Sequence, residues 1–361
     1  MSGETAPAPA GLTRAERFGL IAVAVVTALA GIARYAGVSS VVAFVVAAVA
    51  LAGGAWIVSF ATEQVGHRLG PAVTGLLQAT LGNLPEFFVV LFALIAGERI
   101  VAETAILGSI LVNALFVLGL VIVAGARADP SGTMRFDSKL PRDTATLLLI
   151  TSFIIVLVRL ADSANDAASH HLKTISVIGA VAILAVYGFW VSSYLRADQG
   201  GGKGGDPPRL PTSVSLVLLV VAGVASGFVS DWFVHALQPT IHTLKISRSF
   251  AGLVIVATAG NAVEHAVGVV LAAKGHAELA ISVVKNSVAQ VAAFLFPLLV
   301  LVSLLTATTL TFDLAPVYTG ALLGTSVIVA QITGDGEATP FEGAALMAAF
   351  VILATVAWFE A

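Results

Sequence analysis

Cysteine is absent from the 361 residues. That excludes thiolate metal sites, Cys-x-x-Cys redox chemistry and disulfides, and leaves the compartment open. Charge is scarce: Asp, Glu, Lys and Arg make up 11% of the chain, against about 25% in a soluble domain. With 58% hydrophobic residues, most of the chain belongs in lipid. The net charge of −3 argues against a nucleic-acid partner. No nucleophile stands beside a general base, so the chain is not expected to be an enzyme. The first apolar run lacks a small-residue cleavage site and reads as a retained span, not a signal peptide.

What is present is a series of long apolar runs. At about 20 residues per bilayer crossing, eleven spans are expected, near 18–36, 41–64, 71–96, 100–124, 145–160, 172–195, 213–237, 250–273, 277–306, 315–332 and 343–359. A polar, Ala- and Pro-rich tail (1–16) precedes them and is expected to be disordered. A Gly-rich linker (197–211) separates a five-span repeat (38–196) from a second (212–361), with 17–37 as a leading helix. Five is odd, so the second repeat must be inverted relative to the first, as in transporters with inverted repeats. Arg14, Arg17, Arg68, Arg127, Arg135, Lys139, Arg142, Arg196, Lys203, Arg209 and Lys274 fall on the side of the N-terminus against Arg34, Arg99, Arg159, Lys173, Lys245 and Arg248 on the other, so the N-terminus is expected in the cytosol and the C-terminus external. The membrane expected is a prokaryotic inner membrane.

One pattern occurs once in each half. Thr80-Leu-Gly-Asn-Leu-Pro-Glu86 and Thr258-Ala-Gly-Asn-Ala-Val-Glu264 both read Thr-x-Gly-Asn-x-x-Glu at a constant offset of 178 (258 − 80, 261 − 83, 264 − 86). On a helix, positions i, i+3 and i+6 share one broad face, which aims hydroxyl, amide and carboxylate the same way. A carboxylate in hydrocarbon is expensive, and a repeated pair points to bound cation or protons; helix bridging alone would not predict the repeat. Glu86 and Glu264 are expected to meet mid-bilayer and neutralise a divalent ion such as Ca²⁺. Asn83, Asn261 and carbonyls released near Gly82 and Gly260 complete an oxygen shell. Pro85 deepens the break in the first copy, and Val263 stands at the matching place in the second. The same carboxylates bind protons, so competition between the two ions suffices for exchange.

The next span in each half carries a second polar cluster: Gly108-Ser-Ile-Leu-Val-Asn113 and Asn286-Ser-Val-Ala-Gln290. Small residues let helices approach closely, whereas Asn113 and Gln290 are either donors near the ion or links between helices. His265 follows Glu264 and points about 100° away, as a helix contact or a proton relay.

These stretches resemble the cation/Ca²⁺ exchanger superfamily and, within it, the Ca²⁺/H⁺ exchangers. Residues 75–86 with 108–113 look like the first family motif; 260–265 with 287–290 and Phe294-Leu-Phe-Pro297 look like the second. The resemblance implies an all-α fold of one leading helix and two inverted five-helix repeats. It implies Glu86 and Glu264 as cation and proton carriers with Asn83 and Asn261 as ligands. Thr80 and Thr258 become nearby oxygen donors, and Ser109, Asn113, Ser287 and Gln290 the cavity lining. Glu63 and Asp231 form acidic entrances or are simply solvated. The transported ions are Ca²⁺ and H⁺, the lipid bilayer is the surrounding, and no cofactor is expected. The family's Gly before Ser is replaced by Lys285-Asn286, and a lysine there either snorkels or pairs with a carboxylate. Na⁺/Ca²⁺ exchange and a passive cation channel are the alternatives.

Overall fold

The computed structural model describes residues 11–66, 81–198 and 209–360. The tail to residue 10, most of the linker, the first part of the third expected span and Thr80 lie outside the described residues. Among the described residues eleven long helices follow one another: α1 (Arg14–Tyr35), α2 (Ser40–Gly66), α3 (Leu84–Ile95), α4 (Arg99–Ala128), α5 (Lys139–Ser163), α6 (Leu172–Asp198), α7 (Thr212–Leu244), α8 (Arg248–Ala273), α9 (Ala277–Leu305), α10 (Pro316–Thr333) and α11 (Pro340–Phe359). All but α3 are long and apolar enough to cross a membrane. With α1 set aside, α2–α6 precede the linker and α7–α11 follow it, and the fold is one leading helix plus two inverted five-helix repeats. Several helices outrun the apolar runs that announced them. α5 begins at Lys139 and α7 continues to Leu244, because the backbone ladder persists into polar flanks that hydropathy does not count.

Packing divides the chain differently from the repeats, into two compact units that each draw on both halves. The first comprises residues 1–88 and 190–240, the second 89–189 and 241–361. In the first unit a capping box of Thr13 and Glu16 starts α1, and a turn through Gly37, at φ +69°, reverses the chain into α2. The two helices approach through Gly19 against Trp56 and Gly53 against Val23. Arg209, just before α7, pairs with Glu16 at 2.5 Å and donates its backbone N–H to Gln64 at 2.9 Å, which fixes where α7 begins.

The second unit is built on α4 and α9, whose apolar stretches are 83% and 67% buried. Glycines set the helix spacing. A Cβ on Gly108 of α4 would lie 2.3 Å from the Leu253 carbonyl oxygen of α8, and one on Gly252 would lie 2.0 Å from Thr104 Oγ1. Gly119 and Gly343 bring α4 and α11 together in the same way. Outside the spans, Met134–Arg135 and Glu337–Ala338 form a two-residue antiparallel clip. Among the described residues three helices are locally widened into π turns: Val112–Val117 in α4, Ala251–Val256 in α8 and Val291–Leu295 in α9. Each lies within a few residues of a polar motif, and such widened turns occur frequently at functional sites.

A polar cluster inside apolar helices

In the first unit the helix breaks where the motif lies. Residues 81 and 82 are helical, Asn83 is a turn, and α3 starts at Leu84 with Pro85 and Glu86 in its first turn. Proline is tolerated there because the first N–H groups of a helix have no intrahelical partner, and a carboxylate there meets the positive end of the helix dipole. Asn83 and Glu86 are buried, at 3% and 4% exposure. Ser230 of α7 donates to the Pro85 carbonyl at 3.2 Å, and Gly223 and Gly227 face Leu84 and Phe88, so α7 holds this broken turn in place.

The second copy differs. Gly260 does not interrupt the helix, which runs unbroken from Ala257 to Ala273, so the carbonyl release expected at that glycine does not occur. Val263 keeps its N–H where the first copy has Pro85, and the distortion sits one turn upstream, in the π turn 251–256.

Around it the second unit gathers most of the expected residues. Asn261 Nδ2 donates to Ser109 Oγ at 3.1 Å and to the Ala257 carbonyl at 3.2 Å. Asn113 Nδ2, in the π turn of α4, donates to the Ser109 carbonyl at 2.9 Å and to Ser287 Oγ at 3.4 Å. Ser287 in turn hydrogen-bonds the Glu264 carboxylate, whose Oε2 has no partner among the described residues. Three helices, α4, α8 and α9, are thus joined by side chains of the two motif sets. Both asparagines turn their NH₂ groups into protein, and neither Oδ1 accepts a hydrogen bond among the described residues. The oxygens are what the cluster presents.

Gln290 is buried, and its side chain interacts with the hydroxyl end of Tyr187 of α6, a neighbour that sequence reasoning missed. No spacing rule links residues a hundred positions apart. Thr258 is exposed, and His265 is partly buried with Nε2 unpartnered among the described residues. Lys285 corrects both readings made of it. At 1% exposure it does not snorkel, and no described carboxylate pairs with it; Nζ donates instead to Thr333 Oγ1 of α10 at 3.2 Å. Glu63 and Asp231 are exposed. Among the described residues no group of three or more His, Asp or Glu side chains could hold a metal ion.

Eleven helices in two inverted repeats, with carboxylate, amide and hydroxyl groups inside apolar spans, define an integral-membrane ion carrier. The chain belongs to the sodium/calcium exchanger protein family, whose model matches residues 39–195 and 214–359. It is 28% identical over 338 residues to a Ca²⁺/H⁺ antiporter of Aphanothece halophytica, covering 88% of this chain and 90% of that protein. It is 31% identical over 306 residues to a vacuolar calcium ion transporter of Schizosaccharomyces pombe, covering 82% and 74%. The solved structure of native YfkE superposes with a TM-score of 0.78 at 26% identity, over 94% of this chain and 99% of that one.

Proposed function

We propose that the protein exchanges Ca²⁺ for H⁺ across a membrane by alternating access, with Glu86 and Glu264 taking up cation or protons in turn. The observation that carries this is the orientation of the second-unit cluster. Ser109, Ser287 and the Ala257 carbonyl occupy the amide donors of Asn113 and Asn261, which leaves amide oxygens and Glu264 Oε2 for a hard cation. Ca²⁺ takes six to eight oxygens in flexible geometry, and a set of carboxylates, amides and hydroxyls suits it. The relatives named as Ca²⁺/H⁺ antiporters support the same pair of ions.

Carboxylates also supply the coupling. A protonated Glu264 is a neutral group that accepts burial, whereas an empty ionised one is costly in hydrocarbon. A carrier that reorients only when loaded with cation or with protons links the two gradients. Asn83, in the broken turn before α3, is a further cation ligand, Thr80 and Thr258 supply further oxygens, and the exposed Glu63 and Asp231 attract cations at the entrances. The membrane is a prokaryotic inner membrane with the N-terminus in the cytosol, a placement supported by the excess of Lys and Arg on that side.

The test is ⁴⁵Ca²⁺ uptake into everted vesicles under an imposed pH gradient. Glu86→Gln and Glu264→Gln each abolish uptake while the purified proteins keep their thermal unfolding midpoints. Exchange surviving in both variants refutes the assignment. Uptake that collapses when choline replaces Na⁺ would instead make sodium the counter-ion.

A further inference from the structure

Outside the motif residues, the first unit contains a cavity of about 170 Å³ where α1 turns into α2, walled on its other side by α7. Its polar lining is Arg34, Ser40 and His235, and Trp232 forms an aromatic wall. Arg34 stands in the last turn of α1. Its guanidinium lies over the Tyr35 ring at 5.2 Å from the centroid, and its Nε is buried with no hydrogen-bond partner among the described residues, whereas Arg159 and Arg209 pair with carboxylates. Ser40 is the first residue of α2, so the N–H groups of that helix's first turn, with their positive dipole end, adjoin the same space. Ser39 occupies only one of them, accepting from the Val42 N–H at 3.4 Å. Asp231, one turn before His235, is exposed and does not line the cavity.

Depth identifies the anion. α1 is 22 residues long, about 33 Å at 1.5 Å per residue, so when Arg14 lies at one edge of a hydrocarbon core about 30 Å thick, Arg34 lies at the other. His235 is 23 residues past Thr212, the start of α7, and reaches a matching depth. Trp232 and Tyr35 are the aromatic residues that favour this interfacial layer. Phospholipid phosphates lie at this level. A guanidinium fork, an imidazole, a hydroxyl and a helix N-terminus around one cavity match a phosphate anion and repel a cation.

We propose that this cavity binds the phosphate of an anionic phospholipid headgroup, with Arg34 as its principal donor. The purified full-length protein is titrated in detergent with phosphatidylglycerol or phosphatidylcholine, and retained lipid is read by native mass spectrometry. Phosphatidylglycerol is retained in preference to phosphatidylcholine, and Arg34→Gln weakens that retention about tenfold, the loss expected for a charge-assisted hydrogen bond. His235→Gln, at an exposed position where the change leaves the fold intact, weakens it in the same direction and keeps the test decisive if Arg34→Gln does not fold. Equal retention of both lipids by wild type and variants overturns the proposal. Inorganic phosphate that displaces phosphatidylglycerol from the wild type but not from Arg34→Gln assigns the site to free phosphate and overturns the lipid assignment.

Discussion

Replacing Gly108 with alanine tests whether helix spacing sets the geometry of the polar cluster. The added Cβ would lie 2.3 Å from the Leu253 carbonyl oxygen, 2.7 Å from Leu253 Cα and 2.8 Å from Ala257 Cβ. Carbon and oxygen ordinarily approach no closer than about 3.3 Å, so α4 and α8 must separate by roughly 1 Å, and the obstructing atoms are mostly backbone that cannot rotate aside. Overpacking of this kind costs about 1–3 kcal/mol. The same movement carries the 3.1 Å bond from Asn261 to Ser109 to about 4 Å, past the limit of a hydrogen bond. Asn261 then loses the contact that orients its amide. The expected result is a lower thermal midpoint together with a Ca²⁺ half-saturation raised about tenfold in vesicle uptake, equivalent to about 1.4 kcal/mol. Gly320→Ala is the control, since a Cβ there meets nothing within 4 Å and alanine favours the helix by about 0.5–1 kcal/mol. If Gly108→Ala matches Gly320→Ala in both stability and uptake, glycine contact does not govern the cluster.

Other substitutions probe single features. Thr333→Val removes the hydroxyl that accepts from Lys285 and destabilises by about 1–3 kcal/mol through an unsatisfied buried group; adding Lys285→Met recovers most of that loss in denaturant unfolding, and a double variant no better than the single one contradicts the pairing. Thr339→Ala dismantles the capping box that starts α11, in which Thr339 and Glu342 exchange hydrogen bonds, and costs about 1 kcal/mol with transport unchanged.

Composition and spacing carried much of this protein. Long apolar runs separated by short polar ones leave few alternatives to membrane helices, because a backbone in lipid must satisfy its own hydrogen bonds. The Thr-x-Gly-Asn-x-x-Glu copies and the Ser109/Ser287 clusters were visible as chemistry, since carboxylates and amides are conspicuous against valine and leucine. Pro85 also announced a break in the first copy, and the structure places that break at Asn83. Gly260 was misleading: a glycine lowers helix propensity, but neighbouring helices hold the α8 backbone in register regardless.

The number and character of the helices, the repeat and the residue types able to meet a cation follow from the order of amino acids, because hydrophobic periodicity and side-chain chemistry are local properties. Which hydroxyl orients which amide, the hydroxyl partner of Lys285, the π turns at 112–117, 251–256 and 291–295 and the cavity lined by Arg34 arise only when distant segments pack. Each depends on contacts between residues tens to hundreds of positions apart, and no local pattern encodes those.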